Sequence, residues 1–242
     1  MISDRIYDII QEAHRRARHV LFEKLVSKLP RPVQVLDVGG TEAYWDRVGL
    51  TAGGSLNVTL LNPVSPKVRR LGFVGIVGDG RAMSCFEDQR FDVVFSNSVI
   101  EHVGGIADQH RMAREIRRVG KRYIVQTPNK YFPIEPHFYP CPLFQFFPLW
   151  AQVLVIRQFR LRFSSGGFDR ETAEAIAKSV RLLSEHEFRS LFPDAVIEKE
   201  RLFGLVKSFT ALGGWDLGTE YALSQRTNEK THREKALEEG SL

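Results

Sequence analysis

The stretch FDVVFSNSVIEHV, Phe91 to Val103, constrains this chain more than any other. Phe91 to Phe95 reads as a buried β-strand, since β-branched and aromatic residues suit a pleated, covered surface. It stops at a small polar turn, Ser96-Asn97-Ser98, and a Glu-His pair, Glu101-His102, opens the helical stretch that follows. Strands alternating with helices build an α/β domain around a parallel sheet. Open sheets of this kind bind ligands at the carboxyl ends of their strands. The turn after Phe95 therefore falls where chemistry would be done.

The same unit recurs along the chain. Val33 to Val38 is β-branched and nearly all apolar, as a strand buried on both faces must be, and it ends at Gly39-Gly40. Thr41 to Val48 is a short helix. Leu56 to Leu61 is a second strand, stopped by Asn62-Pro63, and Phe73 to Val77 a third, stopped by Gly78-Asp79-Gly80. Ile106 to Val119 is an amphipathic helix, and Arg122 to Gln126 a fifth strand, stopped by Thr127-Pro128-Asn129. Upstream, Ile6, Ile9, Ile10, Ala13, Ala17, Val20, Leu21 and Leu25 recur at helical spacing, with Ser3 or Asp4 as candidate cap and Pro30 and Pro32 as terminators. That helix is expected to cover the sheet edge or the ligand site. After the fifth strand the rhythm breaks into an aromatic and proline-rich insertion, 131–168. Ser184 and Glu187 then have capping-box spacing. Ala195 to Leu202 and Leu205 to Leu212 form two strands hinged at Gly204, antiparallel because a parallel pair needs a long crossover.

VLDVGG at Val35 to Gly40 and GDG at Gly78 to Gly80 precede the Ser96–His102 turn in the right order. With these motifs the chain resembles class I S-adenosylmethionine-dependent methyltransferases, in particular the small stand-alone bacterial type with an Asn-Ser-x-x-Glu-His turn after the fourth strand. The resemblance covers Val33 to Leu212. It implies a Rossmann-like α/β fold: a mostly parallel seven-stranded sheet, helices on both faces, an antiparallel final strand and the insertion after strand five. One methyltransferase domain would span 1–221, with its N-terminal helix in 1–30 and the insertion, or lid, at 131–168. The polar tail 222–242 is expected to be disordered.

The resemblance also implies S-adenosylmethionine as cofactor, and a methyl acceptor that is a small molecule or lipid-linked, with O-methylation the expected chemistry. Asp37 and the Gly39-Gly40-Thr41 backbone would face the methionine end. The family pattern sets glycines at alternating positions; Gly39 matches, whereas Thr41 and Ala43 stand where the next two usually are. Asn62 occupies the position of a ribose-binding carboxylate, keeping acceptor and donor capacity but losing the charge. Asp79 and Gly80 would lie beside the adenine. Asn97, Ser98 and Val99 would line the methionine side. His102 is a candidate general base or a packing residue, and Glu101 could orient the helix. Within PIEPH, Glu135 and His137 are the only Glu and His of the insertion. Either could bind or deprotonate an acceptor hydroxyl, or simply make a structural contact. The aromatics around them read as a lid or as the core of a helical subdomain.

Charge narrows the partners. The net charge of +5 is spread over scattered arginines without a nucleic-acid motif, so no nucleic-acid partner is expected. Leu143 to Ile156 is too short to span a bilayer. Beside Arg157, Arg160 and Arg162 it could rest on a membrane surface, giving a peripheral contact through 143–162. Cys85 and Cys141 have no metal-ligand spacing, so no metal is assigned, and a reducing, cytoplasmic setting is expected. A Rossmann dehydrogenase is the rival fold, but Gly39-Gly40-Thr41-Glu42-Ala43 lacks the G-x-G-x-x-G spacing. A non-catalytic protein that binds the cofactor or serves as a scaffold, and an RNA methyltransferase, are the alternative functions.

Overall fold

The computed structural model describes residues 2–48, 55–159, 161 and 166–218. The polar tail therefore lies outside the described residues, as do Arg160 and Arg162. In chain order the elements are α1 (Ile2–Val26), β1 (Val33–Val38), α2 (Glu42–Arg47), β2 (Leu56–Asn62), β3 (Phe73–Val77), β4 (Val93–Asn97), α3 (Ile106–Val119), β5 (Tyr123–Pro128), α4 (Leu149–Gln158), α5 (Arg170–Lys178), α6 (Glu185–Leu191), β6 (Val196–Leu202) and β7 (Leu205–Gly213).

Side-chain alternation along the strands produces two apolar layers. Val33 and Val35 of β1 point into one, Leu36 and Val38 into the other. In β4, Val93 and Phe95 join the first and Val94 the second; in β5, Ile124 faces the first, and Tyr123 and Val125 the second. Phe22, Leu25 and Val26 of α1 and Trp45 of α2 close the first layer. Met112, Ile116 and Val119 of α3, with Phe188 and Leu191 of α6, close the second. A central strand covered on both faces leaves little room for polar alternation, which is why β1, β4 and β5 carry apolar residues toward both layers.

The seven strands lie in the order β3-β2-β1-β4-β5-β7-β6. β1 to β5 pair in parallel, β7 runs antiparallel to β5, and β6 antiparallel to β7. The expected seven-stranded, mostly parallel sheet is therefore present. Three local readings are corrected. Phe91 makes only an isolated bridge to Gly120, and β4 starts at Val93. Asn97 belongs to β4, because its pairing with Gln126 extends the ladder past the expected turn. Ser3 and Asp4 lie within α1 rather than capping it.

The insertion carries its own small core. Phe138 and Phe144 stack with ring centroids 3.9 Å apart, and they pack with Val153 and Ile156 of α4 against Ala173 and Ala177 of α5. Tyr139 stacks on Tyr7 of α1 at 4.1 Å, tying this subdomain to the N-terminal helix. No helix among the described residues is long and apolar enough to cross a membrane.

The capping box forms as the spacing requires: the Glu187 amide donates to Ser184 Oγ at 3.3 Å, and the Ser184 amide donates to Glu187 Oε2 at 2.8 Å. Ser184→Ala should lower unfolding free energy by about 1 kcal/mol, read as a lower denaturant midpoint at unchanged slope.

Candidate active site

Parallel pairing brings the ends of β1, β2, β3 and β4 to one edge of the sheet, where a cleft of about 570 Å³ opens. Gly39, Asn62, Gly78, Asp79, Ser98, Val99 and His102 line it. This volume is within the ordinary range for a small-molecule site. The first loop can only be built from glycine. Gly39 sits at φ +79°, and a Cβ there would lie 2.5 Å from Val99 Cγ2. Its amide donates to Leu61 O at 2.8 Å, and Asn62 Nδ2 donates to Gly40 O at 2.7 Å, so the end of β2 holds the loop in place. Asn62 Oδ1 remains an acceptor at the position where the resemblance expects a ribose.

Not every residue expected to hold cofactor reaches this cleft. Asp37 is buried behind the loop. Its Oδ2 accepts from Trp45 Nε1 at 2.7 Å, and a Cβ on Gly40 would lie 1.7 Å from that oxygen. Thr41 instead caps α2, its Oγ1 accepting from the Tyr44 amide at 3.3 Å. Gly80 packs on Val38 and Met112. Asp79 lines the cleft and holds Arg81, whose hydrogen bonds keep the Asp79 carboxyl below its ordinary pKa. Arg81 also donates to Val103 O at 3.1 Å, joining the third-strand turn to the fourth.

Asn97 faces a second cavity, of about 320 Å³, and Ser98 lines both. Ser98 takes φ +54° and is held by Gln126, which accepts from Ser98 Oγ at 2.8 Å. The far wall of this second cavity is one stripe of α1: Tyr7, Gln11, Arg15 and Arg18. Arg47 and Lys207 add further positive charge. Lys207 is only 5% exposed, and burial pushes its pKa down to about 8. Glu200 takes both contacts from Arg18 Nη1, at 2.7 and 2.9 Å, and Glu12 pairs with Arg15. Of the insertion's described residues, Pro136 and His137 reach this cavity. The α1 stripe was missed from the sequence, because its residues, three to four apart on one helix face, are not set off from the other charged residues of α1.

His102 and His137 meet between the two cavities. Their Nε2 atoms are 2.9 Å apart, and His137 Nδ1 lies 2.5 Å from Glu135 Oε1. The second Glu135 oxygen accepts from the Phe138 amide at 2.9 Å. Glu101 is fully buried beside them; its Oε2 accepts from Thr127 Oγ1 at 3.0 Å. Sequence reading named the two histidines separately, 35 positions apart, and the chain brings them into contact.

Asp37 ties the glycine loop to pH. Burial pushes its pKa from 3.8 up to about 7, against the opposing Trp45 hydrogen bond. Between those values the folded protein holds a proton that the unfolded chain has released, so stability falls as pH rises through this window. Asp37→Asn keeps an acceptor for Trp45 and removes the titration. From pH 5 to 7 the native protein should lose on the order of 2–3 kcal/mol relative to that variant. Parallel Tm–pH curves for the two proteins would remove Asp37 as the source.

Residues 36–123 match the family model described as a methyltransferase domain. An uncharacterized protein of Mycobacterium tuberculosis is 31% identical over 135 residues, covering 51% of this chain and 45% of that protein. The chain thus spans about half the length of the curated relatives it matches. Among solved structures, a SAM-dependent methyltransferase from Aquifex aeolicus aligns with 80% of this chain and 87% of its own, at 13% identity and a TM-score of 0.45. A putative methyltransferase from an antibiotic biosynthesis pathway of Anabaena variabilis covers 75% and 62%, at 16% identity and a TM-score of 0.47. Every residue lining the larger cleft lies within 36–123, the segment that matches the methyltransferase-domain family model.

Proposed function

We propose that the protein transfers a methyl group from S-adenosylmethionine to an anionic acceptor held in the smaller cavity, by O-methylation. The observation that carries this reading is the contact of two cavities at Ser98, one walled by the glycine loop and the other by cations. Bound S-adenosylmethionine supplies an electrophilic methyl group on a sulfonium. Gly39 gives the close approach that such a ligand needs, and Asn62 and Asp79 would face its ribose and adenine. Arg47 and Lys207 would hold the acceptor's negative group. His102 and His137 would hold, or take the proton from, the hydroxyl that is methylated. Orientation of donor and nucleophile in line is itself a large part of such catalysis.

The cations narrow the acceptor. The smaller cavity is lined mostly by residues with polar side chains, several of them on α1. The apolar surface is instead outside it, where Trp150 is 71% exposed and Phe146, Leu149 and Leu154 are also uncovered. This arrangement suits an acceptor whose charged head enters the cavity while a lipid portion stays with a membrane. Flotation with anionic vesicles tests that extension: wild type should float, and Trp150→Ala should float less.

Titration should show S-adenosylmethionine binding in the micromolar range. Gly39→Ala should abolish it, because neither the positive φ nor Val99 leaves room for a methyl. No binding by wild type would refute the enzyme reading and leave a scaffold. Lys207→Met should keep cofactor binding and weaken the acceptor ten- to a hundredfold, as expected for about 1.5–3 kcal/mol from a charged hydrogen bond. His137→Ala should keep cofactor binding but lose transfer. A cofactor carrying a 13C-labelled methyl would report by NMR whether the product is a methyl ether or ester; an N- or C-methyl product would overturn the O-methylation reading.

A further inference from the structure

We propose that Glu101, His102 and His137 bind a divalent metal ion between the two cavities, with Glu135 as the outer carboxylate that orients His137. The inference goes beyond the methyltransferase reading and stands without it. One ligand atom from each of the three residues can be chosen so that all lie within 4.8 Å of one another. Four observations support an ion there.

The first is an unfilled acceptor. Glu101 is 0% exposed, and its Oε1 has no hydrogen-bond partner, although Thr127 fills the other oxygen. A buried carboxylate oxygen without a partner is costly. The second is the pair of ring nitrogens 2.9 Å apart. One proton shared between them would satisfy the imidazoles but would leave Glu101 Oε1 empty; a cation satisfies all three atoms. The third is the bond from His137 Nδ1 to Glu135, which directs Nε2 toward the cluster. A metal-bound histidine characteristically gives its other nitrogen to a carboxylate in this way. The fourth is charge. Glu101 and Glu135 are both buried, and no arginine or lysine pairs with either among the described residues. Two carboxylates and two neutral imidazoles are balanced by a +2 ion.

Two imidazoles and one carboxylate suit a borderline transition metal such as Zn2+, Fe2+ or Mn2+ better than Ca2+ or Mg2+, which prefer all-oxygen sites. Three protein ligands leave coordination positions open. His102 lines the cofactor cleft and His137 the acceptor cavity. An oxygen donor of an acceptor could therefore occupy an open position while it faces the cofactor.

The test uses the full chain, stripped with a chelator and dialysed, then titrated with Zn2+ in a calorimeter. One equivalent should bind at micromolar affinity or tighter. His102→Ala and Glu101→Gln should each remove that binding while the circular dichroism melt still shows a folded protein. Glu135→Gln should weaken it ten- to a hundredfold. Co2+ in place of Zn2+ should give a visible ligand-field band that persists in Cys85→Ser, which separates the site from thiolate binding. No stoichiometric binding by wild type, or binding unchanged in both ligand variants, would overturn the proposal. S-adenosylmethionine titrated into the same stripped protein keeps the two readings apart. Cofactor binding without metal binding overturns only the ion, and metal binding without cofactor binding supports the ion while overturning the methyltransferase reading.

Discussion

The position of β1 between β2 and β4 is the constraint on which the rest of the site depends. Six residue pairs in register, from Val33–Leu56 to Val38–Leu61, fix it against β2, and Val35 to Asp37 pair with Val93 to Phe95 on the other side. A shift of one residue would exchange the two faces. Leu36 and Val38 would then trade layers with Val35, and Asp37 would leave Trp45. Correct register also sets the loop ends level with one another. The Gly39 amide reaches Leu61 O, the Asn62 amide group reaches Gly40 O, and Ser96 Oγ donates to Val38 O at 3.1 Å. The cleft is thus made by backbone pairing before any side chain contacts a ligand.

Much of this was legible in sequence for a simple reason: buried parallel strands need unbroken apolar runs, and their ends need turn residues. β1, β3 and α3 begin and end where the pattern places them, and the Ser184–Glu187 box caps α6 as its spacing requires. The failures have physical causes too. Strand pairing, not residue type, decides where β4 ends, so Asn97 reads as a turn but pairs with Gln126. A carboxylate near the end of a strand can serve a ligand, a fold or both, and for Asp37, inside β1, one partner is an indole from the next helix. Glu101 carries no local mark of burial, because what surrounds it comes from Thr127 and the insertion. Contacts made across 26 or more positions are set by topology, and a local pattern does not record them.

The two cavities differ in electrostatic character. The smaller cavity collects Arg15, Arg18, Arg47 and Lys207, with Glu200 and Glu12 answering part of that charge. Between the cavities, Glu101 and Glu135 put buried negative charge within reach of two imidazoles. Opposite charges so close, and so poorly solvated, interact far more strongly than they would on the surface. A ligand that reached both would be oriented by charge as well as by shape.

Ser98 stands where the two cavities touch, in a left-handed backbone conformation and bonded to Gln126. Occupants of the two spaces therefore share one residue as a common wall. Any displacement of that wall by one ligand changes the space open to the other, and thermodynamic linkage makes the effect equal in both directions. Affinities for two ligands, one in each space, would then be two readings of a single coupling free energy, carried by one turn of the chain.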